Sequence, residues 1–221
     1  MNQIVTIDGP AGSGKSTVSR LLADKIHFLY LDTGAMYRAV ALQAHRMRVD
    51  FDDRKGLRRL CKDLDLNFRI DGDSRRLYLG KEDISSAIRS PEMDMLSSSI
   101  SAIREVREFM TELQREIGKK GRLVAEGRDM GTVVFPDADH KFFLTASQEV
   151  RAERRYKERI SRGEHASRGE VEIELRKRDD QDKTRAIAPL RSAKDAQIID
   201  TTTLNPGQVV EEILMKIKEE G

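Results

Sequence analysis

Gly9-Pro10-Ala11-Gly12-Ser13-Gly14-Lys15-Ser16, followed by Thr17, carries glycine, lysine and serine at the spacing G-x-x-x-x-G-K-S. Glycines let a backbone curl until successive N–H groups point at phosphate oxygens, at the positive end of the helix that follows. Lys15 then reaches the β- and γ-phosphates, and the Ser16 hydroxyl becomes a ligand for Mg²⁺. The chemistry implied is binding of a nucleoside triphosphate with its metal. A chance glycine-rich turn would lack the context seen here, a β-branched run before the motif and an amphipathic run after it.

Three further islands concentrate arginine. They are Asp32-Thr33-Gly34-Ala35-Met36-Tyr37-Arg38, Glu126-Gly127-Arg128-Asp129-Met130-Gly131-Thr132, and Arg178 to Leu190, which includes Asp182 and Arg185. Guanidinium forks match phosphate oxygens bidentately, so a kinase that holds a second anion needs several of them. Any one of these arginines alone reads as a surface ion pair. Three such islands beside expected turns, in one chain with a phosphate cradle, point to an acceptor that is itself phosphorylated. Glu126 closes an apolar run, where it is either a water-mediated partner of Mg²⁺ or a solvated strand terminus.

The elements that must position these residues follow from periodicity. Ile4 to Asp8 is a strand, and Lys15 to Ile26 is a helix with Val18, Leu21, Leu22 and Ile26 on one side. Phe28 to Leu31 predicts a second strand, Asp32-Thr33-Gly34 a turn, and about Ala35 to His45 a helix. Leu123-Val124-Ala125, Phe142-Phe143-Leu144 and Ile198-Ile199 predict further short buried strands. Strands alternating with helices imply a parallel sheet covered on both faces. Between about 60 and 90 the period changes to two, with a turn at Asp71-Gly72-Asp73-Ser74, which predicts a small antiparallel meander. Ser90-Pro91 and Arg104 open further helices, and Asn205-Pro206 opens the last one.

Composition excludes several classes. The 221 residues carry 40 Lys and Arg against 38 Asp and Glu, a formal net charge of +2, so binding nucleic acid by bulk charge is excluded. Charged residues are 35%, above the roughly 25% of ordinary domains, so many must lie on solvated helix faces or line a charged site. Stacking aromatics are sparse, with 7 Phe, 4 Tyr and no Trp, which argues against a nucleic-acid ATPase. None of the three asparagines precedes a lysine, so the guanine-reading Asn-Lys-x-Asp segment of GTPases is missing. The lone Cys61 allows no intrachain disulfide, and no run approaches the ~18 apolar residues of a membrane span. The expectation is a cytoplasmic monomer without nucleic-acid or membrane partners.

The four motifs Ile7–Thr17, Leu31–Arg38, Glu126–Ala138 and Arg178–Leu190 together resemble the bacterial cytidylate kinases, nucleoside monophosphate kinases of the P-loop fold. The likeness runs over nearly the whole chain. It implies one domain over 1–221 with a five-stranded parallel sheet and helices on both faces. Within it would lie an acceptor-nucleotide region over 33–104, whose insert (about 60–90) holds the small antiparallel sheet, and an arginine-rich lid over 147–168. It also implies transfer of the ATP γ-phosphoryl group to CMP or dCMP. By the same resemblance Thr33, Arg38 and Arg128 lie near the acceptor phosphate. Ser98, Arg107 and Asp129 read cytosine, and Arg178, Asp182 and Arg185 hold sugar and phosphate. Residue chemistry agrees, because cytosine presents an N4 donor beside N3 and O2 acceptors.

From Ser147 to Arg191 stand 13 basic and 10 acidic residues. Glu153–Lys157, Arg154–Glu158 and Glu158–Arg162 would pair along a solvated helix. Arg151, Arg155 and Arg159 form a like-charge stripe that such pairing leaves unexplained. An anion beside it would explain the stripe, as would a lid closing over the transferring group. Arg154 and Arg155 are taken, with Lys15 and Arg128, as the catalytic cations.

Base choice supplies the first test. Asp129→Ala should lower kcat/KM for CMP more than for UMP, because only cytosine loses a carboxylate acceptor for its amino group. Equal losses on the two substrates would make Asp129 scaffolding.

Overall fold

Strand β1 (Ile4–Asp8) is short, β-branched and buried on both faces, as a central parallel strand must be. The computed structural model describes residues 3–71 and 74–219. After β1 come α1 (Lys15–Ile26), β2 (Leu29–Asp32), α2 (Thr33–Arg46) and α3 (Arg54–Lys62). Next are β3 (Leu66–Asp71), β4 (Ser74–Leu79), β5 (Glu82–Asp83), α4 (Pro91–Ser101) and α5 (Arg104–Gly118). The chain closes with β6 (Leu123–Gly127), β7 (His140–Thr145), α6 (Gln148–Ser161), α7 (Arg168–Thr184), β8 (Gln197–Asp200) and α8 (Pro206–Glu219).

Contacts divide the chain into two compact units, residues 1–32 with 117–221, and residues 33–116. The first holds a five-stranded parallel sheet in the order β2-β6-β1-β7-β8. Strand β1 sits at its centre, where the chain leaves to one side and later returns on the other. In open α/β sheets, ligands bind beyond the strand ends at that reversal. Val5, Ile7, Val18, Leu22, Phe142, Leu144, Ile199 and Ile213 make the core that fixes the end of β1. The second unit packs α2 against α4 and carries the antiparallel sheet β3-β4-β5. Its antiparallel register pairs Leu66 with Leu79 and Phe68 with Leu77. The expected turn residues Gly72 and Asp73 lie outside the described residues. The unit ends at Glu116.

Local boundaries differ from expectation in three places. Asp32 is the last residue of β2 and Thr33 the first of α2, so the predicted turn at Asp32-Thr33-Gly34 is absent. Gly34 lies within the helix, so glycine there does not mark a chain reversal. The region about Leu60 belongs to α3, which Asp53 caps by accepting from the Gly56 N–H. Arg178 and Asp182 were expected beside a turn, yet they sit in the last turns of α7, with Arg185 as its C-cap. The density of charge on that segment hid an ordinary helix, whose Val171 and Leu175 are its buried apolar contacts.

Helix α7 starts from a capping box. Ser167 Oγ accepts from the Glu170 N–H at 3.2 Å, and Glu170 Oε2 accepts from the Ser167 N–H at 2.9 Å. We expect Ser167→Ala to cost about 1 kcal/mol, lowering the thermal midpoint by roughly 2–4 °C. A scan showing no change would mean that packing alone starts this helix.

Candidate active site

The loop between β1 and α1 curls because Gly12 and Gly14 take φ of 76° and 88°, values few other residues tolerate. Lys15 opens α1, is buried, and its Nζ donates to the Pro10 carbonyl at 3.2 Å. Burial pulls the Lys15 ammonium down to about 7, and Arg128 adds repulsion, against attraction from Glu126. Ser16 Oγ donates to Glu126 Oε2 at 2.7 Å, and the Tyr30 hydroxyl donates to the other oxygen. Glu126 is buried within β6, which rules out the reading of a solvated strand terminus. Burial raises its pKa, and the Asp32 carboxylate beside it at the end of β2 raises it further. Ser16, Glu126 and Asp32 thus gather hard oxygen donors beside the loop. That set fits Mg²⁺, with the hydroxyl as a ligand, the two carboxylates reaching the ion through water, and phosphate oxygens completing its shell.

Four residues of the two later islands form two ion pairs. Arg128 Nε donates to Asp182 Oδ2 at 2.7 Å, and Arg185 Nη2 lies 3.5 Å from Asp129 Oδ1. All four side chains are at most 13% exposed. Burial opposes the charge on Arg128, but Asp182 holds it above its ordinary value. Burial likewise opposes ionisation of Asp182, and Arg128 and Arg178 keep it ionised, below the usual carboxylate range. The pairs bind the turn after β6 to the end of α7, and Arg185 also donates to the Ala188 carbonyl at 2.6 Å.

Residues 33–116 hold the remaining predicted residues. Thr33 is buried at the start of α2, and Arg38 Nη1 stands 3.7 Å from Asp94 Oδ1. Arg107 is buried, donates from Nε to the Ser101 carbonyl at 2.9 Å and lies over the Tyr37 ring at 5.3 Å. Ser101 Oγ in turn donates to the Ser98 carbonyl at 2.9 Å. Ser98 and Arg107 are therefore joined through one serine between α4 and α5.

The stripe on α6 has another explanation than an anion. Arg151 pairs with Asp179 at 2.5 Å, and Arg159 donates to Glu164 at 3.0 Å and Glu174 at 2.8 Å. Glu153–Lys157 and Glu158–Arg162 form as expected. Arg155 pairs with Glu158 at 2.7 Å, while Arg154 donates to the Thr201 hydroxyl at 2.9 Å and its carbonyl at 2.6 Å. Glu158 balances Arg155 within α6, while Arg151 and Arg159 are balanced by Asp179, Glu164 and Glu174 beyond it, which i,i+4 rules on one helix could not reveal.

Sequence reasoning also missed Asp8. Its two carboxylate oxygens accept the Met130 and Gly131 N–H groups, each at 2.9 Å, from the turn that follows Arg128 and Asp129. The signal was available, since an acidic residue ending a buried strand needs partners. Met130–Val134 winds as a single wide π-type turn, a form frequent at functional sites.

Fold and cradle together define a P-loop nucleotide-binding protein. A family model for cytidylate kinase matches residues 5–219. The cytidylate kinase of Citrifermentans bemidjiense is 48% identical over 98% of this chain and 93% of its own. That of Carboxydothermus hydrogenoformans is 47% identical over 95% of each chain, and that of Shouchella clausii 45% over 97% and 96%. The chain belongs to the cytidylate kinase family. Among solved structures, an uncharacterised protein of Eubacterium ventriosum aligns with TM-score 0.56 at 12% identity, covering 98% of both chains. Shikimate kinase of Bacteroides thetaiotaomicron aligns at 0.50 and 14%, covering 98% of this chain and 97% of its own. At such identities the likeness is one of fold.

Burial pushes the Asp8 carboxyl from 3.8 up to about 7, against the pull of its two N–H donors. Through that window the folded chain keeps a proton that the unfolded chain releases, so wild-type stability falls as pH rises. Asp8→Asn cannot titrate. The thermal-midpoint advantage of wild type over Asp8→Asn should therefore shrink between about pH 5 and 7. A difference independent of pH would place the titration elsewhere.

Proposed function

We propose that this chain is a cytidylate kinase, transferring the γ-phosphoryl group of ATP to CMP or dCMP and releasing CDP or dCDP with ADP. The observation carrying the reading is the pair of buried bridges Arg128–Asp182 and Asp129–Arg185, in a chain of this family whose Lys15 occupies a phosphate cradle.

The loop from Gly9 to Ser16 offers N–H groups at the positive end of α1 to the triphosphate, and Thr17 extends that cradle. Lys15 adds a cation that the phosphates keep charged. Magnesium, when bound, neutralises charge on the phosphate oxygens and helps align them, with Ser16 as ligand and Glu126 and Asp32 acting through water. Arg128 and Arg38 hold the acceptor phosphate, and Thr33 donates its hydroxyl to it. Arg178, Asp182 and Arg185 hold sugar and phosphate. Asp129 accepts from the cytosine amino group, while Ser98 and Arg107 donate to N3 and O2. Uracil would set its O4 against the Asp129 carboxylate and leave polar groups unpaired, which costs orders of magnitude in kcat/KM. Arg154 and Arg155 belong to the lid over 147–168, which neutralises the transferring group and excludes water. Residues 33–104 are read as the acceptor-nucleotide part of one kinase domain. No helix among the described residues is long and apolar enough to cross a membrane. We expect a cytoplasmic monomer.

An ADP-release assay across CMP, dCMP, UMP, AMP and GMP should give the highest kcat/KM on the two cytidylates; a purine or UMP ahead of both would overturn the assignment. In the same assay Arg128→Lys keeps the charge and loses the planar fork. It should lower kcat/KM for CMP and UMP by similar factors, on the order of tenfold to a thousandfold or roughly 1.4–4 kcal/mol. A change confined to the CMP-to-UMP ratio would move Arg128 from the phosphate to the base.

A further inference from the structure

A loop that turns its N–H groups toward a phosphate turns carbonyls the other way, and each buried carbonyl then needs a donor. Pro10 receives the Ser13 N–H at 3.4 Å and Lys15 Nζ at 3.2 Å, and Gly14 receives the Val18 N–H at 3.0 Å. Those donors are local. The Ala11 and Ser13 carbonyls are served from far along the chain, by Arg151 Nη1 at 3.1 Å and Thr201 Oγ1 at 2.9 Å.

Arg151 cannot move away from this task. Its Nε donates to the Ala146 carbonyl at 3.2 Å, and its Nη1 also meets Asp179 Oδ2 at 2.5 Å. A Cβ built on Gly12 would stand 2.7 Å from the Arg151 carbonyl oxygen and 3.1 Å from its Cα, so the loop rests directly on this residue. Asp179 follows Arg178 on α7, the helix that also carries Asp182. One guanidinium thus ties the phosphate loop to the acceptor-side helix. A buried ion pair is poor value for stability alone, since well-packed apolar residues of similar volume often do as well or better. The third acceptor on Arg151, a loop carbonyl, gives the pair a reason to exist.

We propose that Arg151, held by Asp179, is a positioning residue that fixes the Ala11 peptide so that the phosphate loop is formed before nucleotide arrives. The inference rests on the reading of Gly9–Ser16 as a nucleotide cradle. Preorganisation of this kind appears as binding affinity, because a loop already in place has less conformational freedom to lose.

The test is titration calorimetry of the full chain with MgADP, without acceptor, alongside thermal unfolding. Arg151→Met with Asp179→Leu removes both charges and leaves no uncompensated ion in the interior. That variant should keep a thermal midpoint within a few degrees of wild type and bind MgADP at least about tenfold more weakly. Arg151→Lys keeps a cation opposite Asp179 yet lacks the fork to serve three acceptors. It should weaken MgADP about threefold to tenfold, and it decides alone if the double variant does not fold. A folded double variant with MgADP affinity within twofold of wild type would overturn the proposal, and so would such an affinity in Arg151→Lys when it decides alone, whatever the change in stability. Failure of wild type to bind MgADP is a separate result, one that would overturn the nucleotide cradle itself.

Discussion

The constraint on which the larger unit depends is the cost of gathering positive charge in a place largely shielded from water. Arg128 and Arg178 both repel the Lys15 ammonium at the start of α1, and burial penalises Lys15 and Arg128 besides. A polyanion would relieve this, but the chain must fold without one. Glu126 and Asp182 supply the interim balance, and both are themselves held by hydroxyl or guanidinium donors. The result is a set of cations kept charged enough to be useful and paired well enough to be tolerated. Breaking one member of such a pair leaves a buried ion with no partner, the costly case for any folded protein.

Support of the loop follows from the same constraint. Backbone groups aimed at a phosphate are useful only if nothing lets them relax, and the aim here is fixed from behind by side chains of α6 and of the segment after β8. Asp8 does a similar job for the turn after β6, holding two consecutive N–H groups with one carboxylate. Strand, loop and turn are thereby braced by polar groups that the apolar core cannot replace, because apolar packing does not satisfy N–H and C=O groups.

Much of this could be read from residue order. The β-branched run to Asp8, the loop to Ser16 and the periodic run to Ile26 agree at every level, so strand, cradle and helix stand at the bounds they announce. Asn205 and Pro206 announce the last helix as clearly, and Asn205 Oδ1 accepts the Gln208 N–H at 3.0 Å. What stayed hidden depends on partners distant along the chain. Arg151 looked like one stripe member among three until Asp179, 28 positions on, came within 2.5 Å. Glu126 could equally have faced water until Ser16 and Tyr30 closed over it. Local rules see neighbours within a turn of helix, while burial of charge is decided by the whole fold.

Connectivity around the smaller unit has a consequence for how this protein can change. Residues 33–116 form one unbroken stretch of chain that leaves after β2 and returns before β6, and β2 and β6 are parallel neighbours in the sheet. A single excision at each end would lift out this whole stretch, and no strand of the parallel sheet would be cut. Ser98 and Arg107, proposed to read the acceptor base, and Thr33 and Arg38, proposed to hold its phosphate, can thus be inherited or exchanged as a cassette while the phosphate loop from Gly9 to Ser16 stays as it is. Diversification of acceptor preference by replacement of one contiguous segment is a course open to this architecture, and closed to folds whose recognition residues are scattered through every strand.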